Sequence, residues 1–187
     1  MRRIASVVKL AKIILEKYVF EGMTVVDATA GNGHDSAYFK EVIGPEGHLY
    51  CFDVQETALA ATANRLEEAG LNHNVTLVHD GHENLKDHVA QPVDMVMYNL
   101  GYLPKHDKTK TTLPHTTLES VNQAMDLIKV RGAVCIVAYP GHPEGAEEKA
   151  VLDQFVRTID QKKFDVLKSE FINQINNPPV LYIIEKR

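Results

Sequence analysis

The sequence predicts an α/β fold: a seven-stranded, mostly parallel sheet with helices on both faces, completed by an antiparallel C-terminal hairpin. Three observations carry this. Short apolar runs alternate five times with segments of helical period, the pattern of strands buried on both faces and joined by right-handed helical crossovers. Two further strand-like runs, FDVLKSEFINQ and PPVLYIIEK, follow with only NNP and its neighbours between them, too short a connection for a parallel crossover. At 187 residues, the chain suits one domain over 1–187 and leaves no room for a separate substrate domain.

The elements follow in order. Residues 4, 7, 8, 11, 14, 15 and 18 are apolar, so residues 1–20 read as an amphipathic helix packed on the domain. Arg2, Arg3, Lys9, Lys12 and Lys17 fall off that stripe, where they suit either a solvated face or RNA phosphates. After the turn at Glu21-Gly22 the strand and helix pairs are MTVVDA with SAYFKEVI, HLYCFD with ETALAATANRLEEAG, and NVTLVH with ENLKDHV. VDMVMYNL then pairs with TLESVNQAMDLIKVRG, and AVCIVAY with EGAEEKAVLDQFVRTI. Thr116 and Glu119 have capping-box spacing, and Gly132 after Lys129 and Arg131 reads as a helix stop.

Composition narrows the function. Hydrophobic residues at 44% and charged residues at 24% are ordinary for a soluble protein, and no apolar run reaches membrane-spanning length. The N-terminus lacks a signal-peptide core, so a cytoplasmic protein with no membrane partner is expected. A net charge of -5 argues against a broad basic footprint, leaving only local nucleic-acid contacts. Cys51 and Cys135 sit within apolar runs and read as buried thiols; the nine histidines form no HExxH pattern, and no metal is expected.

The stretch DATAGNGHDS carries the chemistry. Gly31 and Gly33 permit a tight turn between a strand and a helix whose first N–H groups are open to a ligand. The pattern is G-x-G-x-x-S, with Ser36 where a dinucleotide-binding loop usually has glycine. Asp53 ends the second strand twenty positions after Gly33 (53 minus 33), where a carboxylate can accept both ribose hydroxyls of a nucleoside. Asp27, ending the first strand, would repel a pyrophosphate but attract the sulfonium and ammonium of S-adenosylmethionine (SAM). Ala28, Asn32, His34 and Gln55 complete the cofactor loops. Asp80, with Gly81 and His82, is placed either to take the adenine amine or to cap the ENLKDHV helix.

The fourth strand ends YNLGYLP, which resembles the (N/D/S)-P-P-(Y/F/W) motif of amine-directed methyltransferases, with Asn99 in the polar place, Tyr102 in the aromatic place, and Leu100 and Gly101 for the prolines. Methyl transfer from a sulfonium requires an oriented neutral nitrogen, and the Asn99 side-chain oxygen with the Leu100 carbonyl can accept its hydrogen bonds. His106, His115 and His142 are candidate proton acceptors. Tyr102 and Tyr139 suit stacking on a nucleobase, and Lys105, Lys108 and Lys110 suit phosphates, although the segment from Gly101 to His115 also reads as a plain surface loop.

Motifs DATAGNGHD, CFDVQ, DGHENL, YNLGYLP and YPGHPEG, in this order over nearly the full chain, resemble the small SAM-dependent methyltransferases labelled rRNA methylases. The resemblance implies a Rossmann-like class I methyltransferase fold, SAM as methyl donor, and transfer to the aminomethyl nitrogen of the tRNA wobble uridine. It also implies a homodimer, with the anticodon stem-loop gripped by the catalytic domain. Asn99, Leu100 and Tyr102 would then be catalytic, and Tyr102, Lys105, His106, Tyr139, His142 and Glu144 would border the substrate. The alternatives are a SAM-dependent methyltransferase of rRNA or a small-molecule amine, an NAD-dependent oxidoreductase, and a non-enzymatic RNA-binding protein. Asp27 and the missing third glycine speak against the oxidoreductase; the intact loop and net acidity speak against the last.

Overall fold

The computed structural model describes residues 6–101 and 112–187. Its helices are α1 (Val7–Leu15), α2 (His34–Ile43), α3 (Glu56–Glu68), α4 (Leu85–His88), α5 (Pro114–Leu127) and α6 (Pro143–Phe155). Its strands are β1 (Thr24–Asp27), β2 (His48–Phe52), β3 (Val75–Val78), β4 (Val93–Leu100), β5 (Ile128–Ala138), β6 (Phe164–Ser169) and β7 (Val180–Lys186). The seven strands form one sheet in the order β3-β2-β1-β4-β5-β7-β6, with β1 to β5 parallel and β7 antiparallel to both its neighbours. The expected α/β architecture and C-terminal hairpin are both present.

Alternation along the central strands explains why both faces are covered. Val96, Tyr98 and Leu100 of β4, Val134 and Ile136 of β5 and Tyr182 of β7 point to one face, where they meet Leu85, Val121, Ala124 and Leu152. Met95, Met97, Cys135, Val137 and Ile183 point to the other, against Phe39 and Ile43 of α2 and Val7, Ala11 and Leu15 of α1. The N-terminal helix thus packs its apolar stripe on the sheet, with Ser6 accepting the Lys9 N–H as its cap. Both cysteine thiols are fully buried, and burial pushes the Cys135 thiol up to about 12.

Four local expectations differ from the structure. Helix α5 starts at Pro114, with Leu113 as its N-cap, so Thr116 lies inside the first turn and donates to the Leu113 carbonyl instead of forming a capping box. Proline at the first helical position fixes φ where no N–H partner is needed. The same helix stops at Leu127, and IKVRG belongs to β5; Arg131 takes a positive φ of 66° there, and the β4–β5 register shifts at Val93/Met95. A Cβ at Gly132 would lie 2.8 Å from the Asp94 carbonyl, so the glycine marks a close strand approach rather than a helix end. The ENLKDHV segment falls on a three-residue 3-10 turn (His82–Asn84) followed by the single turn of α4, and EFINQ lies beyond the end of β6.

Candidate functional site

Strand β1 lies between β2 and β4, so the connections leaving β1 and β4 diverge at the carboxyl end of the sheet. A cavity of about 770 Å³ opens there. Its walls bring together Ala28, Gly31, Asp53, Gln55, Asp80 and His82 on one side and Asn99, Leu100, Tyr139 and His142 on the other, all expected from the sequence. Asp27, Asn32, Gly33, His34, Gly81 and Glu144 do not line it. Tyr102, Lys105 and His106, with Lys108 and Lys110, lie outside the described residues.

The first loop is held from below. Asp27 is 1% exposed; its Oδ2 accepts from the Ser36 hydroxyl at 2.6 Å and its Oδ1 from the Thr29 N–H at 3.3 Å. Its carboxyl is pushed up to about 7, chiefly by burial, against the hydrogen bond from Ser36 and with the nearby Asp35 charge adding to the rise. Expected at the cofactor, Asp27 is instead turned under the loop, away from the cavity lining. It also accounts for Ser36 in the glycine position, since that hydroxyl is the buried partner of Asp27.

From outside, α3 clamps the same loop. Thr62 Oγ1 donates to the Gly31 carbonyl at 3.1 Å, and Arg65 Nε donates to the Asn32 carbonyl at 2.7 Å. Gly33 has φ of 73°, and a Cβ there would stand 2.8 Å from the Thr62 Cα. The second glycine therefore admits α3 rather than a ligand. His34 is exposed and sits 3.3 Å from an Arg65 terminal nitrogen.

Two further loops close the cofactor side. Asp53 Oδ2 accepts from the Gly31 N–H and Oδ1 from the Gln55 N–H, both at 2.9 Å, so the half-buried carboxylate faces the cavity from a fixed position. Asp80 also lines the cavity, but it takes Gly81 N–H at 2.7 Å, Asn84 Nδ2 at 2.9 Å and His88 Nε2 at 2.8 Å. These bonds hold its carboxyl below the usual range, with His88 the largest cause. Asp80 thus organises its own turn, and the N-cap of that turn is Gly81 with no side-chain bond. His82 is 8% exposed, stands edge-on to Tyr98, and presents a buried Nδ1 that has no hydrogen-bond partner. Burial pushes its imidazole down to about 4, so the ring is neutral and its 3.8 Å approach to Glu83 is not an ion pair.

On the opposite side, Asn99 ends β4 with its N–H on Thr29 Oγ1 at 2.7 Å and its side-chain Nδ2 on Asp35 Oδ2 at 2.8 Å. Gly101 N–H donates to Thr112 Oγ1 at 2.9 Å, and that hydroxyl donates to Glu148 Oε2 at 3.0 Å. Glu148 is 1% exposed and also takes Thr117 Oγ1 at 2.5 Å; burial raises its carboxyl, and the two threonine donors oppose the rise. His142 caps α6 by accepting the Gly145 N–H at Nδ1, and Glu144, largely exposed, lies 3.2 Å from the same nitrogen. His115 is exposed in the first turn of α5 and does not line the cavity.

Thr29, Asp35, Thr112 and Glu148 were missed by sequence reasoning. Thr29 and Asp35 lie inside the quoted loop and could have been weighed as partners of the β4 end; nothing local marked Thr112 or Glu148. The donor set fits a nucleoside cofactor: an anchored carboxylate at the ribose position, and the unpartnered His82 Nδ1 suited to the polar edge of a purine.

The Putative rRNA methylase family model matches residues 49–185. The chain is 32% identical over 188 residues to a chloroplastic tRNA (mnm5s2U34)-methyltransferase of Arabidopsis thaliana, covering 95% of this chain and 69% of that protein. A shorter match, 35% over 80 residues, covers 41% of this chain and 25% of the ribosomal RNA small subunit methyltransferase H of Streptococcus equi. A Clostridium thermocellum structure carrying the same rRNA-methylase description superposes with a TM-score of 0.97 at 41% identity, covering 100% of both chains. A Streptococcus mutans protein described as a methyltransferase, solved in complex with SAH, superposes at 0.88 with 32% identity, covering 100% of this chain and 99% of that one. The fold, the cofactor side of the cavity and these likenesses together place the chain in the Putative rRNA methylase family, as a SAM-dependent methyltransferase of class I fold.

Proposed function

We propose that the protein methylates the aminomethyl nitrogen of 5-aminomethyl-(2-thio)uridine at the wobble position of tRNA, giving 5-methylaminomethyl-(2-thio)uridine. The observation that carries this reading is the Asn99 carboxamide at the end of β4, held beside the cavity across from the cofactor loops. The substrate named for the Arabidopsis relative supports the choice of amine.

Asp53 would hold the ribose, His82 and the Asp80 turn would border the adenine, and Ala28, Thr29 and Gly31 would floor the site. Bound there, SAM supplies a sulfonium methyl that a neutral amine takes with its lone pair as the S–C bond breaks and its electrons stay on sulfur. Asn99 Oδ1 and the Leu100 carbonyl accept the amine's N–H groups and orient its lone pair. An amide accepts these bonds without the charge by which a carboxylate would keep the amine protonated. Tyr139 offers a half-buried ring for the base, and Tyr102, Lys105, His106 and His142 are assigned to the nucleotide around it. The anticodon stem-loop as partner, a homodimer and a cytoplasmic location belong to the same reading; sedimentation velocity tests the dimer.

A second reading is methylation of rRNA, which the shorter match to the ribosomal RNA methyltransferase supports, or of a small-molecule amine. Mass-spectrometric nucleoside analysis separates the two. The protein is incubated with tRNA carrying 5-aminomethyl-2-thiouridine, with ribosomal subunits or with free alkylamines, with and without SAM. A SAM-dependent gain of one methyl on the wobble nucleoside is expected; methylation confined to the other substrates would overturn the assignment.

A further inference from the structure

Asn99 could in principle present either end of its amide to the cavity. What decides is Asp35, in the first turn of α2, whose Oδ2 receives the Asn99 Nδ2–H at 2.8 Å. A carboxylate accepts and does not donate, so the bond forms in only one amide orientation and leaves Oδ1 for the cavity. The backbone is set as well, by the 2.7 Å bond from Asn99 N–H to Thr29 Oγ1. Asp35 does not line the cavity; it stands behind Asn99, where the start of a helix favours a negative charge. Lys12 of α1 approaches its other oxygen, Oδ1, at 3.8 Å and lies over the Tyr38 ring, 5.6 Å from its centroid.

We propose that Asp35 is a positioning residue for the methyl acceptor: it locks the Asn99 amide with its oxygen toward the cavity, which makes the site favour a nucleophile that carries a hydrogen-bond donor, such as the N–H groups of an amine. Resting on the amine reading above, this assigns a purpose to the HD pair that closes the first loop. Asp35 touches neither substrate nor cofactor, and its contribution passes through Asn99.

The test is a double-mutant cycle on methyl transfer to 5-aminomethyl-2-thiouridine tRNA, with SAH affinity measured by calorimetry on each variant. Asp35→Ala is expected to lower kcat about tenfold or more, with the Kd for SAH changed by no more than about threefold. In an Asn99→Ala background the same change should cost less than about twofold, because the group it orients is already gone. Asp35→Asn keeps a partner for Asn99 but no longer enforces one orientation, so its kcat should fall between wild type and Asp35→Ala; being isosteric, it carries the test if the alanine variant does not fold. Additive losses, full wild-type kcat in either single variant, or a loss of SAH affinity in step with kcat would overturn the inference. A wild-type protein that binds SAH yet leaves this tRNA unmethylated overturns the substrate reading and this inference together, whereas an active wild type with additive losses overturns the inference alone.

Discussion

At the ends of β1, β2 and β3, aspartates bind loop backbone: Asp27 takes Thr29, Asp53 takes Gln55 of its own loop and Gly31 of the loop after β1, and Asp80 takes Gly81. Where β4 and β5 end, the corresponding positions hold Asn99 and Tyr139. The carboxylates there, Asp35 and Glu148, lie one layer back and hold an amide and two threonine hydroxyls in place. The contrast suits a site whose two halves do different work. A cationic cofactor with a ribose gains from anionic acceptors, whereas a nitrogen nucleophile must reach the methyl neutral and is better met by neutral acceptors.

The largest effect is expected at Asp53. Asp53→Ala removes the acceptor proposed for the ribose and frees the Gly31 turn; calorimetry should show SAH binding weakened about tenfold to a hundredfold, as expected when hydrogen bonds to a charged group are lost. Gly33→Ala should come next. It forces a side chain into a positive φ and against Thr62 Cα, which costs about 2 kcal/mol or more and lowers the melting temperature by roughly 4 to 8 °C.

At the acceptor end, Glu148→Ala leaves the Thr112 and Thr117 hydroxyls without their buried partner. Chemical denaturation should report a loss of about 1 to 3 kcal/mol with SAH affinity nearly unchanged. A comparable loss of SAH affinity would show that the two halves are not separable.

Asp27 rises from 3.8 to about 7 in the folded protein, so its contribution to stability is fully present below pH 3.8 and is lost as pH rises to about 7. His82 falls from 6.5 to about 4, so its contribution is present above pH 6.5 and lost as pH falls toward 4. The two slopes oppose each other between about pH 4 and 6.5. Asp27→Asn should remove the Asp27 share of the falling slope, so that ligand-free stability rises more steeply, or falls less, with pH through this window. Smallest of all, Lys12→Ala should change stability by less than about 0.5 kcal/mol, since that side chain is 48% exposed and its pairing with Asp35 is screened.

Much of this was legible in the sequence, and the limits are physical. The sequence marks β4 to the residue, because its buried middle, Met95 to Tyr98, is apolar on both faces, with only Asp94 and Asn99 polar near its ends. β5 was read short at its start, because IKVRG has no such run and its strand pairing follows from a register shift with β4. At the site, the loop glycines and strand-end acids announced a nucleoside pocket, but not which would face it. Asp27 and Asp53 stand at the ends of neighbouring strands with the same chemistry; the Ser36 hydroxyl and the Thr29 N–H hold one inward, and position in the chain does not reveal that. Glu148 was invisible for a related reason: in EGAEEKAVLDQ it is one of several acids on a helix, and only the meeting of α5 and α6 buries it.

The most direct measurement is a crystal structure of the protein with SAH. The ribose hydroxyls are expected on Asp53, the adenine beside His82 Nδ1, and the sulfur directed toward Asn99. A nucleoside bound away from Asp53, or an adenine lying at the Tyr139 end of the cavity, would contradict the division of the site into cofactor and acceptor halves.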